Sequence, residues 1–495
     1  MTPVVLVVAL LPLAAALLCL FMPRGFNEAA AVVSGVVTFA GAIILLPAVL
    51  GRTVTIAPFI RIDALSEVFL LATAFLYAII SIYTIGYFAR ERRDSRHSGV
   101  AAPQFNRYSR KFYVGMNIFA WSMLCAPLVN GLAFLWIAIE ITTVVSALLV
   151  AIDRTAGATE AAWKYVLIAS SGLGIALLAT IILYYSGAQV LGTSYDLEFD
   201  SLLAAARHLP SVPVELAFGL AVVGFGTKVG LFPMHTWLPD AHSEAPTPIS
   251  ALLSGALLAT SFYAILRFYQ ITVTAVGPTF PQTVLLVFGV LSLLLAALYL
   301  FGQQNIKRML AYSSVEHMGI LAIGISFGVP IAFVGVLLHV LAHAAAKGTA
   351  FMGAGVFIHK FGTKELGQIR GGLNALPWSA PLFLLAIAAL GAMPPFGIFR
   401  SEFLIVAGGL SNGRNVFGAV FLVLVILAFF GLSISTTRIL FLPAVGTPIA
   451  RGEPSVWMVV PALVGVSALL LLGIHPPELL MALLNHGAVE LQGGH

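Results

Sequence analysis

The amino-acid sequence predicts an all-α polytopic membrane protein with about fourteen transmembrane helices. Two observations carry this prediction. Of the 495 residues, 60% are hydrophobic and only 9% are charged, whereas soluble domains carry roughly 25% charged residues. The hydrophobic residues are also gathered into successive segments of about 20 residues, the length that a helix needs to cross the hydrocarbon core of a bilayer. The first expected partner of this chain is therefore the lipid bilayer.

The net charge of +5 does not indicate nucleic-acid binding. The basic residues lie mainly in short segments between apolar spans, where membrane topology accounts for them. Cys19 and Cys125 stand apart in apolar surroundings, so they indicate neither a disulfide framework nor a metal site. We therefore expect neither a nucleic-acid partner nor a cofactor bound to this chain.

The apolar segments assign the predicted spans in order. They lie at residues 3–22, 28–50, 64–88, 112–127, 131–151, 160–185, 214–234, 246–270, 281–302, 311–328, 330–359, 377–410, 415–443 and 456–474. We divide the chain into three spans with a basic cytoplasmic loop (1–111), two five-span units (112–270 and 281–443), and a last span with a C-terminal tail (444–495).

Spans 7 and 12 contain clusters of helix-breaking residues, which a membrane helix tolerates only where the freed backbone groups face protein or a cavity. The two broken spans are five helices apart, and an odd offset reverses orientation. We therefore predict two inverted five-helix repeats, a plan that places ion sites near the membrane midplane. The breaking residues are Gly226, Gly230 and Pro233 in span 7, and Gly391, Pro394, Pro395 and Gly397 in span 12.

Arginine and lysine are concentrated in the loop predicted between spans 3 and 4, at residues 89–111. Cytoplasmic loops carry an excess of these residues, so this loop is assigned to the cytoplasm. Successive loops alternate between the two sides of the membrane. Both termini are therefore expected to be external.

Two ionisable residues inside apolar spans are predicted to work together. Lys228 lies within LAFGLAVVGFGTKVGLFP in span 7, and Glu140 lies within FLWIAIEITTVV in span 5. A charge inside a membrane is costly and by default marks a functional site. Burial disfavours the ammonium form of a lysine and a nearby carboxylate favours it, so a change in their separation would make Lys228 hold or release a proton. The alternative is a static ion pair that only fixes packing.

His339, His343 and Lys347 recur at every fourth residue of span 11 and therefore share one face of a helix. Two imidazoles leading to an amine make a proton relay, because histidine titrates near neutral pH. Histidines at i and i+4 also suit zinc, but the segment lacks the glutamate of an HExxH motif and the sequence shows no third ligand. Packing histidines held by hydrogen bonds are a second alternative.

Further ionisable residues accompany these positions. Glu402 follows the break in span 12 and is the expected terminal group of the line, whereas Arg400 is always protonated and can only set the electrostatic field. Glu316 and His317 are placed at the cytoplasmic end of span 10, where a structural role competes equally with a functional one. Polar residues in the segment joining spans 7 and 8 either admit protons from the cytoplasm or form a proline-stiffened turn. These residues are His235, Asp240, His242 and Glu244.

Four motifs occur in order along the chain: TKVGLFPMHTWLPDAHSEAPTPISALLSG, NIKRMLAYSSVEHMG, HVLAHAAAKGTAF and PPFGIFRSEFLI. Together they resemble the proton-pumping, antiporter-like subunits shared by respiratory complex I, Mrp-type sodium/proton antiporters and membrane-bound hydrogenases. The resemblance covers about residues 110–440. The VEHMG form and the short length are most similar to component F of hydrogenase-4 or formate hydrogenlyase. The resemblance implies a location in the inner (plasma) membrane of a cell.

The resemblance also implies a role for each matching residue. The implied line begins with the glutamate and lysine of a first half-channel, continues through a central lysine with two histidines, and ends in a glutamate on a broken helix. Ser254 stands where some relatives place a histidine, so the link from the first lysine onward needs water or another route. In this chain the implied line consists of Glu140 and Lys228, then Lys347 with His339 and His343, then Glu402.

The leading prediction is a subunit that translocates protons without a redox centre of its own. Its expected partners are further antiporter-like membrane subunits and peripheral iron–sulfur, hydrogenase-like or dehydrogenase subunits that oxidise hydrogen, formate or a similar donor. Two alternatives remain open at this point. One is a sodium/proton antiporter, alone or of the Mrp type, and the other is a non-pumping anchor that holds peripheral subunits through the basic loop.

Overall fold

The computed structural model describes residues 2–22, 25–97, 102–443 and 449–493. Helices dominate this part of the chain, as predicted, and they follow one another with short connections. Their bounds are α1 (Thr2–Phe21), α2 (Gly25–Leu45), α3 (Ala64–His97), α4 (Ala102–Cys125), α5 (Leu132–Val150), α6 (Ala156–Leu191), α7 (Phe199–Ala205), α8 (Ser211–Val229), α9 (Trp237–Glu244), α10 (Thr247–Leu252), α11 (Leu258–Val276), α12 (Thr279–Leu300), α13 (Ile306–Ser326), α14 (Pro330–Phe361), α15 (Gly372–Ala375), α16 (Ser379–Leu390), α17 (Gly397–Ser411), α18 (Asn415–Phe441), α19 (Val456–Ile474) and α20 (Glu478–Leu491).

The chain is a multi-pass membrane protein. Eleven segments of the described residues are long and apolar enough to cross a membrane. Three predicted spans are not among them, namely those that correspond to α4, to α13 and to the pair α16 and α17. α13 carries Lys307 and Glu316 but is buried along nearly its whole length, so its polar side chains face other helices rather than lipid.

One small departure from an all-α fold lies between α2 and α3. Strands β1 (Val54–Ala57) and β2 (Ile60–Ile62) form an antiparallel hairpin. Hydropathy did not reveal it, because a four-residue strand in a polar connection carries no helical or membrane signal. The hairpin brings Arg61, and Asp63 two residues later, to the N-terminal end of α3.

The break predicted in span 7 is present, but it begins later than predicted. Gly226 continues α8, and the helix ends at Val229, where Gly230 adopts a left-handed conformation (φ +83°) that favours glycine. The segment at 234–250, predicted as a polar connection, instead forms a 3₁₀ turn, α9 and the start of α10. The segment is therefore mainly helical rather than a proline-stiffened turn, with His242 buried and Asp240 and Glu244 partly exposed.

The break predicted in span 12 separates α16, which ends at Leu390, from α17, which begins at Gly397. A third irregularity was not predicted. Leu253–Leu257 form one turn of π-helix between α10 and α11, with Ser254 inside it. Such turns widen a helix locally and are frequent at functional sites.

The predicted basic loop is largely helical. α3 extends to His97 and α4 begins at Ala102, so the predicted domain boundary at residue 111 falls inside α4. Residues 98–101 and the side chains of the four arginines between positions 90 and 96 lie outside the described part of the chain. The predicted connection at residues 444–448 also lies outside it.

A network of buried charges ties several elements together where α3 begins. Asp63 accepts hydrogen bonds from Arg61 and, at 2.7 and 2.8 Å, from both terminal nitrogens of Arg267 on α11. Arg61 also pairs with Asp200 on α7 at 2.6 Å. Glu490 on α20 accepts the first two backbone N–H groups of α3 at 3.0 and 2.9 Å. The predicted C-terminal tail is thus in part a helix that caps α3.

Candidate functional site

The first cluster of buried charge surrounds Lys228, in the last turn of α8. Its side chain is fully buried, and its Nζ donates to Thr143 Oγ1 on α5 at 2.8 Å and to the hydroxyl of Tyr165 on α6. Nζ also lies 4.6 Å from the centre of the Tyr165 ring and 6.0 Å from that of Trp237. The ammonium group is thus surrounded by hydroxyl oxygens and aromatic faces.

The break after α8 explains how Trp237 reaches this cluster. Because the chain turns at Gly230, the start of α9 folds back on the end of α8, where Trp237 Nε1 donates to the backbone oxygen of Thr227 at 2.7 Å. Tyr165 and Trp237 lie against each other with ring centres 4.4 Å apart. Neither residue was singled out from the sequence, because tyrosine and tryptophan are common in membrane helices.

Glu140 on α5 belongs to the same cluster but does not touch the lysine. Its Oε1 accepts a hydrogen bond from Ser170 Oγ on α6 at 3.1 Å, and its Oε2 is buried without a hydrogen-bond partner. Among the described residues, no ion pair joins Glu140 and Lys228. Glu140 and Thr143 lie one helical turn apart on α5, so the carboxylate is next to the hydroxyl that holds the lysine.

The second cluster surrounds Lys347 on α14. Lys347 is fully buried, and its Nζ donates to the backbone oxygen of Leu310 on α13 at 2.9 Å. Glu316 on α13 is a buried carboxylate within electrostatic range of Lys347. The prediction that Glu316 and His317 lie at the membrane edge was wrong, because both are buried near the middle of α13. The span was predicted to start at residue 311, whereas α13 begins at Ile306.

Three histidines pack together between α13 and α14. The rings of His339 and His343 stack with centres 6.3 Å apart, as their spacing on one helix face predicted. His317 from α13 lies against both, with ring centres 5.1 Å from His339 and 5.2 Å from His343. Within the described part of the chain, both ring nitrogens of His343 lack a hydrogen-bond partner. All three side chains are fully buried.

The hydrogen bonds of this cluster favour one assignment of the ring hydrogens. Ser401 Oγ on α17 donates to Ile398 O at 2.7 Å, so it accepts from His339 Nδ1 at 2.9 Å. In neutral His339 the lone pair is then on Nε2, which accepts from His317 Nδ1 at 3.1 Å. The lone pair of neutral His317 is on Nε2, which has no partner. In this arrangement His317 Nε2 presents a free lone pair, and His317 Nδ1 donates to His339 Nε2.

Glu402 on α17 lies beside the histidine pair. Its side chain is buried, its Oε1 has no hydrogen-bond partner, and polar atoms of Glu402, His317 and His339 all lie within 4.8 Å of one another. The sequence did not reveal His317 and Glu402 as potential metal ligands beside His339, because they come from other helices. The two histidines bond to each other, so their lone pairs do not converge on one point, and the arrangement suits proton transfer better than metal binding.

Arg400 and Glu402 point to different surroundings. The guanidinium of Arg400 lies 3.4 Å from Gly473 O and lines a cavity of about 510 Å³ with residues of α20. Glu402 lines a separate, mainly apolar cavity of about 490 Å³ next to the break before α17. Among the described residues, the two do not form an ion pair with each other.

His242 on α9 lies between the two clusters. It is fully buried, its Nδ1 is 2.8 Å from Leu238 O, and its Nε2 has no partner. Its ring centre is 6.1 Å from that of Trp237, beside Lys228, and 6.0 Å from that of Phe351, one turn after Lys347. His242 is thus a buried histidine whose ring lies against both Trp237 and Phe351.

Ser254 instead bonds across to α13, with its Oγ 2.7 Å from Ser314 Oγ. The remaining polar residues around α9 have other surroundings. His235 stacks on Phe232, while Asp240 and Glu244 form partly exposed ion pairs, with Arg308 at 3.3 Å and Lys364 at 3.5 Å respectively. Asp240 and Glu244 therefore lie at the surface end of this region.

Lys307 was missed as a buried residue. It lies between the predicted spans 281–302 and 311–328, yet only 2% of its side chain is exposed, and its Nζ donates to Ala245 O at the end of α9. A cation at a helix C-terminus is favourable, because the last carbonyl groups carry partial negative charge. This lysine therefore holds α9, and with it His242 and Trp237, against α13.

The chain matches a family model described as "NADH:quinone oxidoreductase/Mrp antiporter, TM" over residues 129–430. It is 36% identical over 360 residues to a hydrogenase-4 component F homolog of Methylacidiphilum infernorum, covering 72% of this chain and 73% of that one. Its fold is similar to a chain of Thermus thermophilus respiratory complex I with bound NADH (TM-score 0.81, 25% identity, 99% and 100% coverage). It is also similar to a chain of the Mrp complex of Dietzia sp. DQ12-45-1b (TM-score 0.83, 20% identity, 99% and 98% coverage).

Proposed function

Because the chain belongs to the family of antiporter-like membrane subunits found in complex I and Mrp antiporters, we propose that it translocates protons as one subunit of a redox-driven membrane complex. The observation that carries the proposal is a line of buried ionisable side chains crossing six helices. Several of their acidic oxygens and ring nitrogens have no hydrogen-bond partner, so they are free to exchange protons. The line runs from Glu140 through Lys228, His242, Lys347 with Glu316, His343, His317 and His339 to Glu402.

Charge transfer along this line proceeds between neighbouring groups. A proton taken up by Glu140 weakens the attraction between its carboxylate and the ammonium of Lys228, which then passes its proton toward the free Nε2 of His242. Lys347 receives it while Glu316 balances the charge. The histidines carry it from His317 to His339 in the direction of their hydrogen bond, and Glu402, whose carboxylate lies within 4.8 Å of both, is the last acceptor.

The membrane topology belongs to the same proposal. The eleven apolar segments, together with α4, α13 and the pair α16 and α17, make fourteen crossings arranged as two inverted repeats with external termini. Each repeat then contains a broken helix, α8–α9 or α16–α17. Corresponding helices have corresponding neighbours, since α6 packs along α8 and α14 packs along α17.

The proposed partners are other antiporter-like membrane subunits and a peripheral hydrogenase-like or dehydrogenase-like module that supplies the redox energy. Two solved structures with similar chains are described as an Mrp complex and a respiratory complex I, both multisubunit assemblies. The hydrogenase-4 component F homolog favours a hydrogen- or formate-linked module. We assign no redox cofactor to this chain, so electron transfer is the work of its partners.

The proposed function is tested on the complex isolated through an affinity tag on this chain and placed in vesicles that contain a pH-sensitive dye. Hydrogen, formate and NADH are supplied in turn as donors. Donor-driven internal acidification or alkalinisation that collapses with a protonophore is expected. Donor oxidation without any proton movement would contradict proton translocation and favour a membrane anchor. Sodium-driven proton exchange by the chain reconstituted alone would instead favour an antiporter.

Glu402→Gln is expected to lower the number of protons moved per donor oxidised more than Arg400→Gln does. Glutamine cannot accept or donate a proton at this end of the line, whereas loss of the guanidinium changes only the local field. Both ratios are measured in vesicles at matched donor turnover. If Arg400→Gln is the more damaging change at every pH tested, Glu402 is not the terminal acceptor.

His242→Phe is expected to reduce proton movement about tenfold or more, because it removes the titratable group between the two lysine clusters while keeping a ring of similar size. His235→Phe is the matched control, since His235 lies on the adjacent 3₁₀ turn and stacks on Phe232 outside the line. The measurement is the initial rate of dye response at equal amounts of assembled complex. Equal rates for the two variants would remove His242 from the line.

A further inference from the structure

The ammonium group of Lys228 is held without a carboxylate. Its hydrogen-bond acceptors are two hydroxyl oxygens, those of Thr143 and Tyr165, and among the described residues Glu140 forms no ion pair with it. A lysine that is only the partner of Glu140 would need no such arrangement. The position therefore calls for an explanation of its own.

The direction of the surrounding hydrogen bonds shows which form of the lysine this arrangement fits. Ser146 Oγ donates to Thr142 O at 2.5 Å, so it accepts from the Tyr165 hydroxyl at 2.8 Å. Thr143 Oγ1 donates to Ile139 O at 3.3 Å. Because both hydroxyl hydrogens are used elsewhere, both oxygens present lone pairs to Lys228. They accept N–H groups, which the ammonium and the neutral amine both carry, but they have no hydrogen to donate to the lone pair of the neutral amine, which would stay unpaired in these surroundings.

Two aromatic faces complete the surroundings. The Tyr165 ring lies 4.6 Å and the Trp237 ring 6.0 Å from Nζ, within the range in which a ring attracts a cation. The contact between these two rings, and the hydrogen bond from Trp237 to Thr227 O, hold both faces in place. The four side chains of Thr143, Tyr165, Ser146 and Trp237 are called the lysine cage below.

We propose that the lysine cage is a second resting place for protonated Lys228, which alternates between the cage and Glu140, and that Tyr165 is the residue that positions it. This inference rests on the proposed function and adds its mechanism of charge separation. In the cage the ammonium keeps its proton, and no bond is made or broken. The cage includes Trp237, which contacts His242. A lysine in the cage therefore holds its proton near His242, the next group of the line.

The groups that face Lys228 determine its protonation. They are Glu140 on α5 and Tyr165 on α6, while His242 on α9 lies on the far side of the Trp237 ring. Glu140 favours the ammonium from one side and the cage favours it from the other, while a protonated His242 would oppose it. Loss of the Tyr165 hydroxyl therefore makes Lys228 release its proton at lower pH.

Tyr165→Phe is expected to move the alkaline limb of the pH profile of proton translocation toward lower pH by about one unit, because a hydrogen bond to a charged group is lost. Tyr184→Phe is the matched control. Tyr184 lies on the same helix and also loses a hydrogen bond, from Ala133 N, but it is far from Lys228. Its profile should stay that of the wild type. Thr143→Val removes the second acceptor and should shift the profile in the same direction as Tyr165→Phe.

The profiles are measured in vesicles with the assembled complex, and assembly of each variant is checked by recovery of its partner subunits. A lower rate with an unchanged pH profile in both Tyr165→Phe and Thr143→Val would overturn the cage. If one variant does not assemble, the other decides. A different result would contradict the proposed function itself, namely that the Lys228→Ala complex still moves protons. Loss of proton movement in Lys228→Ala with unshifted profiles in the cage variants overturns only the cage.

Discussion

Lys228→Ala is expected to reduce proton translocation by the complex to below about a tenth of the wild-type value, the scale of effect that follows when a proton-transfer group is removed. The substitution removes the lysine that lies between Glu140 and the rest of the line. It adds no buried charge, so assembly should be retained. The measurement is the number of protons moved per donor oxidised in vesicles.

Lys164→Ala is the matched control for this prediction. Lys164 lies on α6 near Tyr165, but it is partly exposed and pairs with Glu160 at 2.5 Å. A surface pair of this kind contributes little to stability, so its loss should leave translocation unchanged. Wild-type proton movement by correctly assembled Lys228→Ala complex would exclude Lys228 as a carrier.

Lys347→Arg should fail almost as completely as Lys347→Ala. Arginine keeps the positive charge beside Glu316, but it does not release a proton at accessible pH. A lysine that serves only as a fixed charge would give a different order, with the arginine variant close to the wild type and the alanine variant defective. Proton uptake by the two variants, compared at equal amounts of assembled complex, separates these cases.

The positions of the charged residues inside apolar spans were the most predictable part of the site. Lys228, Glu140 and Lys347 stand out because a charge in a hydrophobic segment is rare and costly. The spacing of His339 and His343 placed both on one face of a helix, and the structure confirms that geometry. Their proton-carrying roles remain proposals.

The contacts between helices could not be read from the sequence. Glu316 and His317 were assigned to a membrane edge, because hydropathy places a helix by its apolar residues and α13 is polar but buried. His242 was assigned to a connection, since the histidine and proline content of that segment is typical of turns. Glycine and proline did locate the two broken helices, because these residues act on the local backbone.

Tyr165 and Trp237 show the limit of sequence interpretation most clearly. Nothing in their spacing distinguishes them from other aromatic residues of membrane helices. They acquire a role only because Gly230 ends α8 and the chain folds α9 back against α6. A signal for such residues would require knowledge of which helices pack together.

One measurement tests most directly whether the two lysine clusters belong to a single line. The number of protons moved per donor oxidised is determined for the wild-type complex, for Lys228→Ala, for Lys347→Ala and for the double variant. If protons pass through both clusters in series, each single variant loses the same number of protons and the double variant loses no more. If the double variant loses the sum of two separate losses, the clusters are independent channels and the single line is contradicted.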